Sequence, residues 1–188
     1  MTPWGIALDF VLNYEGGWCN NPGDRGGETF RGISRVFWPA WEGWSLVDTI
    51  KTERPDDFAA VLFQDFDLKE MVSKFYRVNF WEPCGCDMLP GKVAAAVFDF
   101  AVNSGDKVAV KQLQATLGAE VDGVVGPQTV KAAFDAGEEG VIKYLAARAK
   151  FLHAVMDNNP SQQVWAINWF RRLFYLANVV LEGQGVNF

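Results

Sequence analysis

One histidine, three cysteines and no excess of positive charge mark this 188-residue sequence, and each scarcity removes a class of function. With His153 alone the chain lacks the ligands of a zinc amidase or metalloprotease, and no His-Glu-x-x-His motif is present. The same histidine would have to serve as the base of any cysteine or serine hydrolase. It sits in an apolar helical run, Phe151-Leu152-His153-Ala154-Val155, where a packed core histidine is the expectation. Cys19, Cys84 and Cys86 are an odd number, so they cannot make a complete disulfide framework, and reduced thiols are expected. Their spacing with His153 fits none of the common structural zinc patterns, so neither a metal nor another cofactor is expected.

Seventeen basic against 23 acidic residues leave a net charge of -6, the wrong sign for gripping nucleic acid by its phosphates. That sign also disfavours anionic lipid, and the Arg171-Arg172 pair reads as a solvated face, so no stable membrane association is expected. No apolar stretch approaches the ~20 residues that span a bilayer. Met1-Thr2-Pro3-Trp4 has neither the basic start nor the apolar run of a signal peptide, so synthesis in a cytoplasm is expected. Gly126-Pro127 lacks the lysine of a phosphate-cradling loop, and neither a low-complexity linker nor an internal repeat is found.

What the chain has is apolar mass. Hydrophobic residues are 49% and aromatics 14%, with eight Trp and fifteen Phe, enough for a core without covalent staples. Thr2-Pro3 reads as a helix start and Gly16-Gly17 as a stop, which predicts a helix from about Pro3 to Tyr14. A loop rich in turn formers follows to Ser34, with a short strand or hairpin at Glu28–Ile33. Between Val36 and Arg54 no clean period emerges, and Trp38, Trp41 and Trp44 read as packing before a sugar platform. Helices are then predicted over 55–66, 68–80 with Asp67 as a cap, 91–103, 106–117, from Pro127, over 138–156 and over 160–181. The fold class is mainly α, a two-lobed helical body with a small β or irregular insertion near the N-terminus.

Trp4, Leu8 and Val11 follow the spacing of a buried helical stripe, and the next member of that series is Glu15. A carboxylate thus falls where a core residue belongs. It also ends its helix, where the dipole disfavours an acid, so surface decoration explains it poorly. A glycosidase needs one carboxylic acid for the leaving oxygen and a second group for water or developing positive charge. Asp24 and Thr29 lie in the loop that could fold back over Glu15, with Glu28 beside them; capping a turn beside Gly23 is the other use open to Asp24.

Glu15-Gly16-Gly17-Trp18, Asn21-Pro22-Gly23-Asp24 and Gly26-Gly27-Glu28-Thr29-Phe30-Arg31-Gly32-Ile33-Ser34 resemble the signature of glycoside hydrolase family 108. The likeness continues through Phe75-Tyr76-Arg77, Phe80-Trp81, Phe98 to Gly105, Leu113-Gln114 and Asp122 to Thr129. Trp18 stands where members often carry tyrosine, and the segment from Trp38 to Phe63 looks longer or more divergent than usual. The resemblance implies a lysozyme-like body, a single domain with a catalytic lobe at 1–88 and a helical peptidoglycan-binding lobe at 89–188. It implies an N-acetylmuramidase of the phage-endolysin kind, with Glu15 as catalytic acid. The Glu, Asp, Thr order also resembles the triad of phage-type lysozymes, so Asp24 and Thr29 are expected to join Glu15 in catalysis, and Glu28 and Asn103 are expected substrate contacts. Bacterial peptidoglycan is the implied partner of a monomer, made in a host cytoplasm and acting on the wall in the periplasm after release or export. A lytic transglycosylase, a non-catalytic wall-binding or secretion-assisting protein, and a chitin-directed hydrolase are the alternatives.

Overall fold

The computed structural model describes residues 2–21 and 26–182, and the chain divides into two compact units, Val11–Asn79 and Met1–Phe10 with Phe80–Phe188. Contacts divide after Asn79, and the first ten residues group with the C-terminal part. Packing explains this grouping. Trp81 is buried in edge contact with Trp4 at 5.1 Å and Phe98 at 5.6 Å, so the aromatic run after Phe80 is core of the C-terminal unit.

Helix α1 (Pro3–Glu15) leads into the smaller unit. Three short antiparallel strands follow, β1 (Trp18–Asn20), β2 (Glu28–Phe30) and β3 (Ile33–Ser34), in that spatial order. Register pairs Cys19 with Thr29, Thr29 with Ser34, and Phe30 with Ile33. Only Arg31 and Gly32 separate the last pair, and both have positive φ, 50° and 79°, the two-residue turn whose twist suits a hairpin. Phe30 and Ile33 bury their side chains beneath it.

Helix α2 (Gly43–Glu53) occupies the segment in which no period was read. Its buried stripe is short, Trp44, Val47 and Ile50, and Trp38 and Trp41 precede the helix, so aromatics outside the element obscure its spacing. Trp44 is packed and donates its indole N–H to the Trp38 carbonyl at 2.8 Å. Helices α3 (Phe58–Gln64) and α4 (Phe66–Tyr76) are parted by extended Asp65. Asp65, rather than Asp67, caps α4 by accepting from the Leu68 amide at 2.8 Å. A π turn, Arg77–Trp81, ends the run.

In the larger unit a 3-10 turn (Cys86–Met88) precedes α5 (Gly91–Ser104), which is buried from Val93 through Ala101 and forms the axis of the unit. Helices α6 (Asp106–Leu117), α7 (Pro127–Asn158) and α8 (Ala166–Glu182) pack around it, with a 3-10 turn at Pro160–Trp165 before α8. Helix α7 is interrupted at Gly137 (φ 53°, ψ -140°), which separates the two helices expected there.

Asp99 of α5 is buried between Arg148 of α7 and Arg172 of α8, at 2.5 and 2.8 Å. Arg172 is therefore a core residue, and only Arg171 of the pair read as a solvated face is exposed. The second correction concerns His153, which is not packed in the core. The buried stripe of α7 runs Tyr144, Leu145, Arg148, Leu152, Met156, and His153 falls one residue off it, exposed, with Nδ1 3.0 Å from Asp157. The fold is mainly α, with eight α-helices and one small sheet among the described residues.

Candidate active site

Glu15 closes α1 as the stripe spacing requires, half-buried where Val11 one turn earlier is fully buried. Gly16 follows with φ 75°, a left-handed stop that turns the backbone into β1 without steric cost. The Glu15 side chain lies against the hairpin turn. A Cβ placed on Gly32 would sit 2.7 Å from Glu15 Oε2, 2.9 Å from Glu15 Cβ and 2.5 Å from Tyr76 Oη, all closer than real side-chain contacts. Gly32 is thus needed twice, for its positive φ and for the space it leaves. The carboxylate and the phenol are neighbours around that one point.

Tyr76, on α4, is buried and donates its hydroxyl to the Arg31 carbonyl at 2.7 Å. Arg31 also donates its amide to the Gly17 carbonyl at 3.0 Å, which ties the turn to the strand beginning just after Glu15. Its guanidinium lies over the Phe63 ring, 3.8 Å from the centroid. Burial pulls this guanidinium below its ordinary pKa, yet it stays charged at any physiological pH. Neither Tyr76 nor Arg31 was singled out from the sequence. Phe75-Tyr76-Arg77 carried a signal only as part of the family resemblance, since nothing local places a tyrosine 61 residues later beside Glu15.

Glu28 has both oxygens engaged. Oε1 accepts from Trp18 Nε1 at 2.8 Å and Lys51 Nζ at 2.6 Å, while Oε2 lies 2.9 Å from Arg35 Nε. Burial would raise this carboxyl, but the Lys51 and Trp18 hydrogen bonds and the Arg35 charge outweigh it and hold it below the usual carboxylate range. Arg35 forks onto Asp48 at 2.7 and 3.0 Å, extending the network to α2. Trp18, where members of the resembling family often carry tyrosine, supplies one of these donors.

Thr29 is half-buried at the centre of β2, paired with Cys19 and Ser34, and by strand alternation its side chain is on the face opposite Phe30. Glu15, Glu28 and Thr29 therefore share the smaller unit. Asp24 lies outside the described residues. Asn103 is in the other unit, exposed near the end of α5, with Nδ2 donating to the Asp99 carbonyl at 2.9 Å and Oδ1 available as an acceptor.

Two further features have chemical potential. In the smaller unit an open cavity of about 460 Å³ is lined by Phe37, Trp38, Trp41 and Phe75 with Glu42 and Lys74 among its polar groups, so Trp38 lines it while Trp44 packs. Cys84 and Cys86 are buried in the larger unit, and burial together with Cys84 pushes the Cys86 thiol well up, away from reactivity. No helix among the described residues is long and apolar enough to cross a membrane.

Comparison with known proteins gives the family. The family model "Glycosyl hydrolase 108" matches residues 8–105, which include Glu15, the hairpin and Tyr76. A second model, "Predicted Peptidoglycan domain", matches residues 108–174. Among solved structures, Brucella abortus SagA superposes with a TM-score of 0.69 at 28% identity, over 95% of this chain and 94% of that one, in keeping with a lysozyme-like, mainly α fold. No curated protein matches in sequence. The chain belongs to glycosyl hydrolase family 108 and is a glycoside hydrolase acting on peptidoglycan.

Proposed function

We propose that the chain is an N-acetylmuramidase, which hydrolyses the β-1,4 bond between N-acetylmuramic acid and N-acetylglucosamine with Glu15 as general acid. The observation that carries this reading is the seat of Glu15, a half-buried carboxylate at the end of an apolar stripe, pressed against a turn that tolerates only glycine. Such a seat fixes the carboxyl's direction, and orientation is what proton donation to a glycosidic oxygen demands.

In this scheme Glu15 gives its proton to the leaving oxygen as the glycosidic bond breaks. Thr29 holds the water that adds to the sugar carbon, and that water's proton passes to a site carboxylate, Glu15 or Asp24. Asp24, assigned from its place between Glu15 and Thr29 in the sequence, offsets the positive charge on the ring. Asn103, in the larger unit, is the further residue proposed to contact substrate. Glu28 serves the site indirectly: with its oxygens committed to Trp18, Lys51 and Arg35, it braces the hairpin that carries Thr29 and Gly32. The endolysin setting, with a monomer made in a host cytoplasm and acting on the wall in the periplasm, is drawn from the family resemblance.

The test is the identity of the new chain ends. Purified peptidoglycan digested with the chain is expected to yield muropeptides ending in reducing N-acetylmuramic acid, read by borohydride reduction and mass. Anhydro ends would make it a lytic transglycosylase and reducing N-acetylglucosamine a glucosaminidase. Wall binding without release would make it a non-catalytic binder, and release from chitin alone would move the substrate.

A further inference from the structure

The larger unit contains an open groove of about 620 Å³, bounded by α6 and α7 and lined by Gln112, Ala115, Thr116, Lys143, Ala146, Ala147, Lys150 and Phe151. Helical periodicity builds it. Lys143, Ala146, Ala147 and Lys150 are spaced i, i+3, i+4, i+7 on α7, and Gln112, Ala115 and Thr116 are spaced i, i+3, i+4 on α6, so each set occupies one helix face. Alanines at the middle of both rows leave the space that larger side chains would fill. Phe151, half-buried and in edge contact with Phe100 at 5.1 Å, supplies an apolar wall.

The polar groups have one sign to offer. Lys150 is exposed and makes no ion pair with another described residue. Lys143 pairs with Glu139 at 2.7 Å, but the two heads are 60% and 75% exposed, and such pairs contribute only ~0–1 kcal/mol, so a better-placed carboxylate can displace Glu139. Two lysines lining one groove, on a chain of net charge -6, form a local exception to the overall field. Seven residues of helix set them about 10 Å apart, the reach of about three residues of extended peptide.

We propose that this groove binds the stem peptide of peptidoglycan, with Lys143 and Lys150 pairing with its carboxylates and the alanine floor and Phe151 packing against its backbone and methyl groups. The proposal rests on peptidoglycan being the ligand of the chain, and on the groove lying wholly within residues 108–174, the stretch matched by the peptidoglycan model. Glycan strands themselves carry no carboxylate once the lactyl group is amide-linked, so the charge complementarity selects the peptide over the sugar backbone.

Titration of the full ¹⁵N-labelled chain with a free stem tetrapeptide, L-Ala-γ-D-Glu-diaminopimelate-D-Ala, tests this. Amide shifts are expected at Thr116, Lys143, Lys150 and Phe151. Lys143→Gln/Lys150→Gln should weaken binding at least tenfold, and Ala146→Phe, which fills the groove without changing charge, should do the same. Cleavage of peptide-free glycan strands by these variants should equal that of the native chain. Shifts elsewhere, or shifts that survive both sets of variants, overturn the groove. A native chain that binds the tetrapeptide there but cuts no strand supports the groove and removes the muramidase reading instead.

Discussion

Glu15 and Gly32 meet where the first helix ends and the hairpin turns, with the Glu15 carboxylate 2.7 Å from the position a Cβ on Gly32 would take. An acid at the end of a helix is disfavoured by the dipole. That cost is intelligible as the positioning of a proton donor.

Gly32→Ala follows directly. The left-handed backbone costs an alanine about 1–2 kcal/mol, and the new methyl must displace Glu15 or Tyr76. Since a misplacement of about 1 Å can cost on the order of 100-fold in rate, kcat on peptidoglycan is expected to fall about 100-fold in a variant that still melts cooperatively. Unchanged kcat would mean that the turn does not position the acid.

Tyr76→Phe removes the hydrogen bond to the Arg31 carbonyl and leaves the ring in place. A loss of about 1 kcal/mol of stability is expected. Because the turn that seats Glu15 loosens, kcat should fall several-fold with KM little changed. A fall in stability alone, at full kcat, would confine Tyr76 to structure.

How far the sequence disclosed this arrangement depends on the range of the interaction. Glu15 was legible because helical spacing is local, and Trp4, Leu8 and Val11 point to it. The hairpin was legible as a strand near Glu28–Ile33, but its partner β1 is three residues long and has no period to read. Tyr76 escaped because its role depends on a contact with Arg31, 45 residues away. His153 misled because an apolar neighbourhood in sequence is not a buried face: the stripe of α7 passes through Leu152 and misses it. Arg172 misled in the opposite sense, as its partner Asp99 lies 73 residues earlier on another helix.

Glu28→Gln tests the brace. It removes the charge that Lys51 and Arg35 face, and hydrogen bonds to charged groups contribute about 1.5–3 kcal/mol each. The melting temperature is expected to drop while affinity for peptidoglycan fragments holds. Lost affinity at unchanged stability would restore Glu28 as a sugar contact.

Asp99→Asn should destabilise the larger unit by about 3–5 kcal/mol, because it leaves Arg148 and Arg172 buried without a counter-charge. Burial alone would raise the Asp99 carboxyl, but Arg172 and then Arg148 overcome it and hold it below the ordinary value. A depressed folded pKa means the contribution is full above the unfolded value of about 3.9 and is lost as pH falls through the folded value. Thermal melts of both proteins should differ most near neutral pH and begin to converge as pH falls below about 4. A gap that stays constant to pH 3 would show that the ion pair is not its source.

The central claim is that Glu15 donates the proton. Glu15→Gln keeps the size and a hydrogen-bonding head but removes the acid, so the variant should fold, retain wall binding and release reducing ends from purified peptidoglycan at least about 1,000-fold more slowly than the native chain. Reducing-end release by the folded variant at a rate near native would contradict the account.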